Sequence, residues 1–140
     1  MSDSAATPSP AVRVRAVRGA TQLDADERDH LLERVAEMVT KVMAANALEV
    51  DDVISVIFTS TSDLTSEFPA YAARQLGFGD VPLMCARELE IERSMPRVVR
   101  MMAHVETTLP RADITHVYLH GAAALRRDLT RVQALPDDAS

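Results

Sequence analysis

The sequence has little of several residue types, and each scarcity excludes a class of protein. Its only cysteine is Cys85, so no disulfide can form within the chain, and a reducing compartment is expected. Its few aromatic residues, three Phe and two Tyr with no Trp, do not form a ladder on which nucleic-acid bases could stack. Its longest apolar runs, such as Val53–Phe58, are far too short to span a bilayer.

The charge balance and the first residues narrow the setting further. The formal net charge of −6 and the lack of a strongly basic segment argue against a nucleic-acid partner. Residues 1–10 have no basic patch followed by an apolar stretch, so no signal peptide is expected. We therefore expect a cytoplasmic protein that binds neither membranes nor nucleic acids.

Motifs of the common enzyme classes are missing too. There is no GxSxG elbow, no GxxxxGK[ST] loop and no GxGxxG turn. His116 and His120 could share a strand face, but without a third ligand nearby they are a weak metal signal. Nothing in the sequence places a histidine beside Cys85 to activate it as a nucleophile. The sequence therefore predicts neither a metal nor a cofactor.

Arginine is the basic residue that the chain does use. Fourteen arginines stand against one lysine, and compositional bias accounts for most of them. An arginine on an apolar face is more informative, because its planar fork binds carboxylates in a way that lysine cannot copy. Arg18 is such a residue, since strand alternation places it on the same face as Val12, Val14 and Ala16.

The hydrophobic pattern predicts one α+β (mixed α/β) domain over residues 12–129, between a disordered tail at 1–11 and a flexible tail at 130–140. Its predicted order is strand, long helix, strand, short helix, one or two strands, helix, strand. The predicted strands are Val12–Arg18, ended by Gly19-Ala20-Thr21; Val53–Phe58, followed by a loop over Thr59–Asp63; Val81–Cys85, which Glu88–Glu92 could extend; and His116–His120. The first predicted helix is capped by Asp24, runs to about Ala45 and ends at Asn46, and the second covers Phe68–Leu76. The third is capped by Ser94, carries Val98, Met101, Met102 and Val105, and ends before Pro110.

Four polar residues fall at or just after predicted strands, where side chains often line pockets: Arg18, Cys85, Glu88 and Tyr118. Each also has a purely structural interpretation. Arg18 could be an edge residue that reaches into solvent, and Glu88 a solvated charge. Tyr118 could be a core phenol with one hydrogen bond, and Cys85 a small buried residue.

Six short segments, taken together, carry a family resemblance. They are Val14-Arg15-Ala16-Val17-Arg18-Gly19-Ala20-Thr21; Asp63-Leu64 with Phe68-Pro69-Ala70; Val81-Pro82-Leu83-Met84-Cys85 with Glu88; Arg97-Val98-Val99-Arg100-Met101-Met102; His116-Val117-Tyr118-Leu119; and Leu125-Arg126. In their order and near-constant spacing they resemble the monofunctional chorismate mutases of the mixed α/β class. The resemblance runs from about residue 12 to residue 129, so it is far more specific than any one motif.

The resemblance implies a fold and a reaction. The fold would be a mixed sheet flanked by helices, assembled into a homotrimeric pseudo-barrel with sites between subunits. The reaction would be the Claisen rearrangement of chorismate to prephenate, which needs no nucleophile, metal or cofactor.

The resemblance also implies roles for particular residues. Arg100 would be the cation at the ether oxygen of the substrate, and Arg18 would bind a carboxylate and approach the same oxygen. Glu88 would accept from the ring hydroxyl, with Cys85 donating nearby, and Tyr118 would bind a carboxylate. The remaining substrate contacts would be Phe68, Ala70 and Arg74 from a neighbouring subunit, Leu83, Met84 and Leu125 along the wall, and Arg126 with the C-terminal tail over the ligand.

Two other functions stay open at this stage. A trimeric protein of similar shape could act on another small carboxylate, for example as an imine or enamine deaminase. Such an enzyme would need the carboxylate-binding arginine, but not Glu88 together with Cys85. A ligand-binding module would instead bind a dicarboxylate without converting it.

Overall fold

A computed structural model of the protein describes residues 10–126. These residues form one five-stranded sheet in the order β3-β2-β4-β1-β5, with two helices packed against it. The pairs β1–β4 and β2–β4 are antiparallel, whereas β2–β3 and β1–β5 are parallel, so the sheet is mixed and the predicted fold class is confirmed. The bounds are β1 Arg13–Gln22, α1 Arg28–Ala45, β2 Val53–Ser60, α2 Pro69–Gln75, β3 Leu83–Arg87, β4 Val98–Thr107 and β5 Val117–Leu119.

Helix α1 packs against β1 and β5 with an apolar stripe. Its buried residues recur at helical spacing, namely Leu31, Val35, Met38, Val39 and Val42. The carboxylate of Glu27 caps the helix by accepting from the N–H groups of Asp29 and His30. The prediction that Asp24 is the cap was therefore wrong; Asp24 pairs instead with Arg34, at 3.0 Å.

The end of α1 is tied to the segment that leads into β5. Asn46 ends the helix, as predicted, and its buried side-chain amide donates to the carbonyl oxygens of Val42 and Thr115, both at 2.9 Å. The Asn46 amide oxygen accepts from the N–H of Thr115 at 2.8 Å. Because a buried amide that is satisfied on both sides is costly to break, this link fixes where β5 begins.

Gly19 allows α1 to approach the sheet closely. A Cβ atom on Gly19 would stand 2.9 Å from Cγ of Met101, 3.1 Å from Cγ2 of Val42 and 3.2 Å from Cγ of Met38. These distances are too short for carbon atoms that cannot move. A residue with a Cβ atom would fit at this point of β1 only if these side chains shifted.

The segment that was predicted as a helix from Ser94 is strand β4, so that prediction was wrong. Val99, Met101, Ala103 and Val105 alternate toward the helices and are buried. Val98, Met101, Met102 and Val105 of β4 also recur at helical spacing, so the segment fits a helix as well as a strand. The change from helix to strand matters because it places Arg100 and Met102 on the face of the sheet that points away from the helices.

Strand β1 also extends further than predicted. Gly19, Ala20 and Thr21, which were expected to end it, pair with both β4 and β5. Glu88–Glu92, which could have extended β3, is not part of a strand. The predicted tails at 1–11 and 130–140 lie almost wholly outside the described residues. Within residues 10–126, no helix is long and apolar enough to cross a membrane.

The sheet has a second face, opposite the helices, which we call the open face. Several of its side chains are exposed. Arg18 does share a face with Val14, but that face is the open one, and Val14 is exposed. Val17, Gly19 and Thr21 form the buried face of β1 instead. The open face also presents other exposed apolar side chains, namely Ile57, Met84 and Met102.

Candidate active site

A cavity of about 300 Å³ opens on the open face, and three of the predicted site residues line it: Arg18, Arg100 and Tyr118. We call it the arginine pocket. Apart from Thr59, its remaining lining residues are non-polar: Gly19, Ala20, Ile57, Met101 and Met102. Two guanidinium groups at one cavity suit an anion such as a carboxylate, to which each can donate a pair of charge-assisted hydrogen bonds.

The sheet register explains why these three side chains meet. Ala20 pairs with Arg100 on β4 and with Tyr118 on β5, so the two side chains flank it from opposite sides. Arg18 pairs with Met102, two residues along β4 from Arg100, and therefore lies diagonally across the same face. The fully buried Ala20 is the small floor between them.

Glu88 lies directly against Arg100. The Nε atom of Arg100 is 2.9 Å from Oε2 of Glu88 and 3.1 Å from Oε1. The hydroxyl of Thr59, which pairs with Arg100 across β2 and β4, donates to Oε2 of the same carboxylate. The Glu88 side chain is only 16% exposed and that of Arg100 is 44% exposed, so the cation reaches outward from an anchored carboxylate.

Cys85 does not line the arginine pocket. It pairs with the buried Phe58 and packs against the core on the helix side of the sheet. Together with Phe68 it lines a second cavity of about 460 Å³. We call this the cysteine cavity. Within one chain, the candidate residues thus fall into two groups, with Arg18, Arg100, Tyr118 and Glu88 in one and Cys85 and Phe68 in the other.

The other candidate residues line neither of these two cavities. On α2, Ala70 is buried and Arg74 is exposed. On β3, Leu83 is half-buried against the core, and Met84 is 61% exposed on the open face. Leu125 and Arg126 lie in a helical turn at 123–126, with Leu125 half-buried and Arg126 exposed.

The loop that carries Phe68 is fixed by Asp26. The Asp26 carboxylate accepts from the N–H and the hydroxyl of Thr65 and from the N–H of Ser66, each at 3.0 Å. Burial alone would raise the pKa of Asp26, but hydrogen bonds from Ser66 and Thr65 outweigh it and hold the pKa below the ordinary value of 3.8. The ionised carboxylate therefore stabilises this wall of the cysteine cavity.

Of the other six lining residues of the arginine pocket, among them Thr59 and Ala20, sequence reasoning named none as a site residue. Thr59 was placed in a loop, although β2 continues to Ser60 and turns Thr59 toward the open face beside Ile57. Ala20 was counted among the residues that end β1. The alternation of Ile57 and Thr59 along the chain could have revealed that Thr59 faces the pocket. The place of Ala20 could not be predicted in this way, because it depends on the pairing of three strands.

The fold and the pocket define a small α+β protein with two arginines and a tyrosine in one small, mostly apolar cavity. A family model described as chorismate mutase type I matches residues 14–129. The chain is 42% identical over 121 residues to a chorismate mutase AroH of Thermus thermophilus, covering 86% of this chain and 99% of the relative. A chorismate mutase AroH of Bacillus subtilis (strain 168) is 33% identical over 118 residues, 84% of this chain and 93% of the relative.

A solved structure agrees with these matches. A chorismate mutase from Clostridium thermocellum superposes with a TM-score of 0.78 at 40% identity, covering 79% of this chain and 98% of the other. The chain belongs to the chorismate mutase type I family.

Proposed function

We propose that the protein converts chorismate to prephenate, with the arginine pocket as one half of its active site. The observation that carries the proposal is the meeting of Arg18, Arg100 and Tyr118 in one otherwise apolar cavity, with Glu88 anchored to Arg100. The relatives that match nearly their whole length are named for this activity.

The chemistry of the rearrangement sets what the pocket must do. Chorismate carries two carboxylates and is mostly extended in water, whereas reaction requires a compact, chair-like conformer. In the transition state one carbon–oxygen bond breaks as a carbon–carbon bond forms, and negative charge grows on the ether oxygen. Donors fixed in place before reaction stabilise that charge more than the ground state. Groups that fold the substrate back on itself supply the rest.

The described residues can meet both needs. Arg100 would face the ether oxygen, because Glu88 holds its Nε and fixes the direction of the guanidinium. Arg18 lies two residues before the Ala20 floor on β1, and Tyr118 lies beside that floor on β5, so each would bind a carboxylate of the folded substrate. Glu88 would also accept from the ring hydroxyl, since each carboxylate oxygen has two lone pairs.

A second copy of the chain would complete the site in a homotrimer. On the open face the exposed Ile57 pairs with the exposed Met84 and Met102 on either side, and an exposed apolar patch of this kind often marks a protein interface. Phe68 is 67% exposed at the rim of the cysteine cavity, on the part of the chain that does not reach the arginine pocket. The neighbouring copy would supply four residues that reach the substrate: Phe68, Ala70, Arg74 and Cys85. The homotrimer would act in the cytoplasm.

Two measurements test this proposal. Purified protein is mixed with chorismate, and loss of chorismate and gain of prephenate are followed against a protein-free control. We expect acceleration by several orders of magnitude, with no metal or cofactor added. Light scattering after size exclusion should give three times the mass of the chain. No acceleration would refute the activity, and an active monomer would refute the shared site.

A further inference from the structure

His116 touches the arginine pocket through the main chain of Arg18. Its Nδ1 atom accepts from the Arg18 N–H at 2.9 Å. The pairing of β1 with β5 starts one residue later, at Gly19 and Val117. The imidazole thus takes the place of a strand carbonyl and continues the pairing up to Arg18.

The surroundings of the ring keep it neutral. His116 shares a cavity of about 310 Å³ with Arg15 and Arg18 from β1, Arg111 from the turn before β5, and the uncharged Met102 from β4; no acid is among its described lining residues. Burial lowers the pKa of His116 below 6.5, and the positive charges of Arg18 and Arg126 lower it further. At neutral pH the ring therefore has a lone pair on Nδ1 and its proton on Nε2.

We propose that neutral His116 is a positioning residue that holds the main chain of Arg18, and thereby the direction in which its guanidinium meets a substrate carboxylate. The inference rests on the proposed function. Protonation turns Nδ1 from an acceptor into a donor, so the bond from the Arg18 N–H is lost. Substrate binding by Arg18 should then weaken as the ring protonates in acid.

Replacement by Asn or Gln separates this role from simple packing. The amide oxygen of Asn can stand where Nδ1 stands and accept the same hydrogen bond without titrating, whereas the polar end of Gln stands near the position of Nε2. We expect His116→Asn to keep KM within about twofold of wild type and to flatten its rise in acid. His116→Gln and His116→Phe should raise KM roughly two- to tenfold, with a smaller change in kcat.

Several results would overturn the proposal. His116→Phe with an unchanged KM would do so, and so would Asn and Gln variants that cannot be told apart. His30→Gln serves as the matched control, because Nε2 of His30 accepts from the Asp24 N–H away from the pocket and the amide of Gln can take that place. That control should leave KM and its pH profile unchanged.

A spectroscopic readout keeps this test separate from the test of activity. Nitrogen NMR of the wild-type protein should show the imidazole protonated on Nε2, and the Arg18 amide resonance should move in His116→Phe but not in His116→Asn. A ring protonated on Nδ1 would refute the positioning role even if chorismate is converted. Lack of turnover by the wild type would refute the proposed function and leave the hydrogen bond to be judged by NMR alone.

Discussion

The Nε atom of Arg100 lies between the two oxygens of Glu88, 2.9 Å from Oε2 and 3.1 Å from Oε1. The contact uses Nε, so the two terminal nitrogens of the guanidinium can point away from Glu88 toward a ligand. Because Thr59 donates to the same carboxylate, a hydroxyl, an acid and a cation form one chain across the edge of the pocket. The direction of the Arg100 guanidinium therefore depends on Glu88 and Thr59.

Thr59→Val tests that dependence with almost no change in shape. It removes the hydroxyl donor to Glu88, and a hydrogen bond to a charged group is worth about 1.5–3 kcal/mol. Arg100 still holds the carboxylate, so we expect the low end of that range, a loss in kcat/KM of about tenfold. Thr40→Val on the exposed side of α1 is the control. Equal kcat/KM for Thr59→Val and wild type would remove Thr59 from this chain of contacts.

Gly19→Ala should destabilise the fold by about 1–3 kcal/mol, because the added Cβ would meet Met101, Val42 and Met38 at 2.9–3.2 Å. Urea denaturation followed by circular dichroism measures the change. Gly79→Ala is a matched control, since its Cβ would have no neighbour within 4 Å and should shift stability by less than about 0.5 kcal/mol. If the two variants lost equal free energy of unfolding, the close contact between α1 and β1 would not require glycine at position 19.

Asp26→Asn should reveal an acid-dependent part of the stability. The pKa of Asp26 is lower in the folded protein than its ordinary 3.8, so the unfolded chain binds more protons as the pH falls. The stabilisation is present above that value and is lost as the pH drops through the lower, folded pKa. Urea denaturation from pH 7 to pH 3 should show wild type above Asp26→Asn at neutral pH, with the gap closing in acid.

The control for this titration is Asp80→Asn, in an exposed loop. It should follow wild type across the whole range. A gap for Asp26→Asn that stays constant with pH would mean that the ionised carboxylate does not stabilise the loop over residues 65–66.

Sequence patterns predicted the fold where periodicity had one interpretation. The apolar spacing of α1 and the alternation at Val117 and Leu119 led to the right elements, because each has one buried face. Strand β4 was mistaken for a helix because Val98, Met101, Met102 and Val105 fit helical spacing, although its buried residues alternate and it is paired on both edges.

The pocket was less predictable than the fold. Arg18 could be singled out by strand alternation, although the face it shares with Val14 is the open one. Arg100 could be named only by resemblance, since its position depends on which strand pairs with which. The link from His116 to Arg18 joins residues that are 98 positions apart, and the hydrogen bond from Thr59 to Glu88 joins residues 29 apart. No local pattern encodes such contacts.

The central claim is that a fixed guanidinium at position 100 stabilises charge on the ether oxygen. Its most direct test is kcat for chorismate with Arg100→Lys, beside Arg13→Lys at the exposed start of β1 as control. Lysine keeps the charge but loses the planar fork and the Nε bond to Glu88, so we expect kcat to fall about 10²–10³-fold, while Arg13→Lys stays at wild type. A correctly folded Arg100→Lys with wild-type kcat would contradict the account.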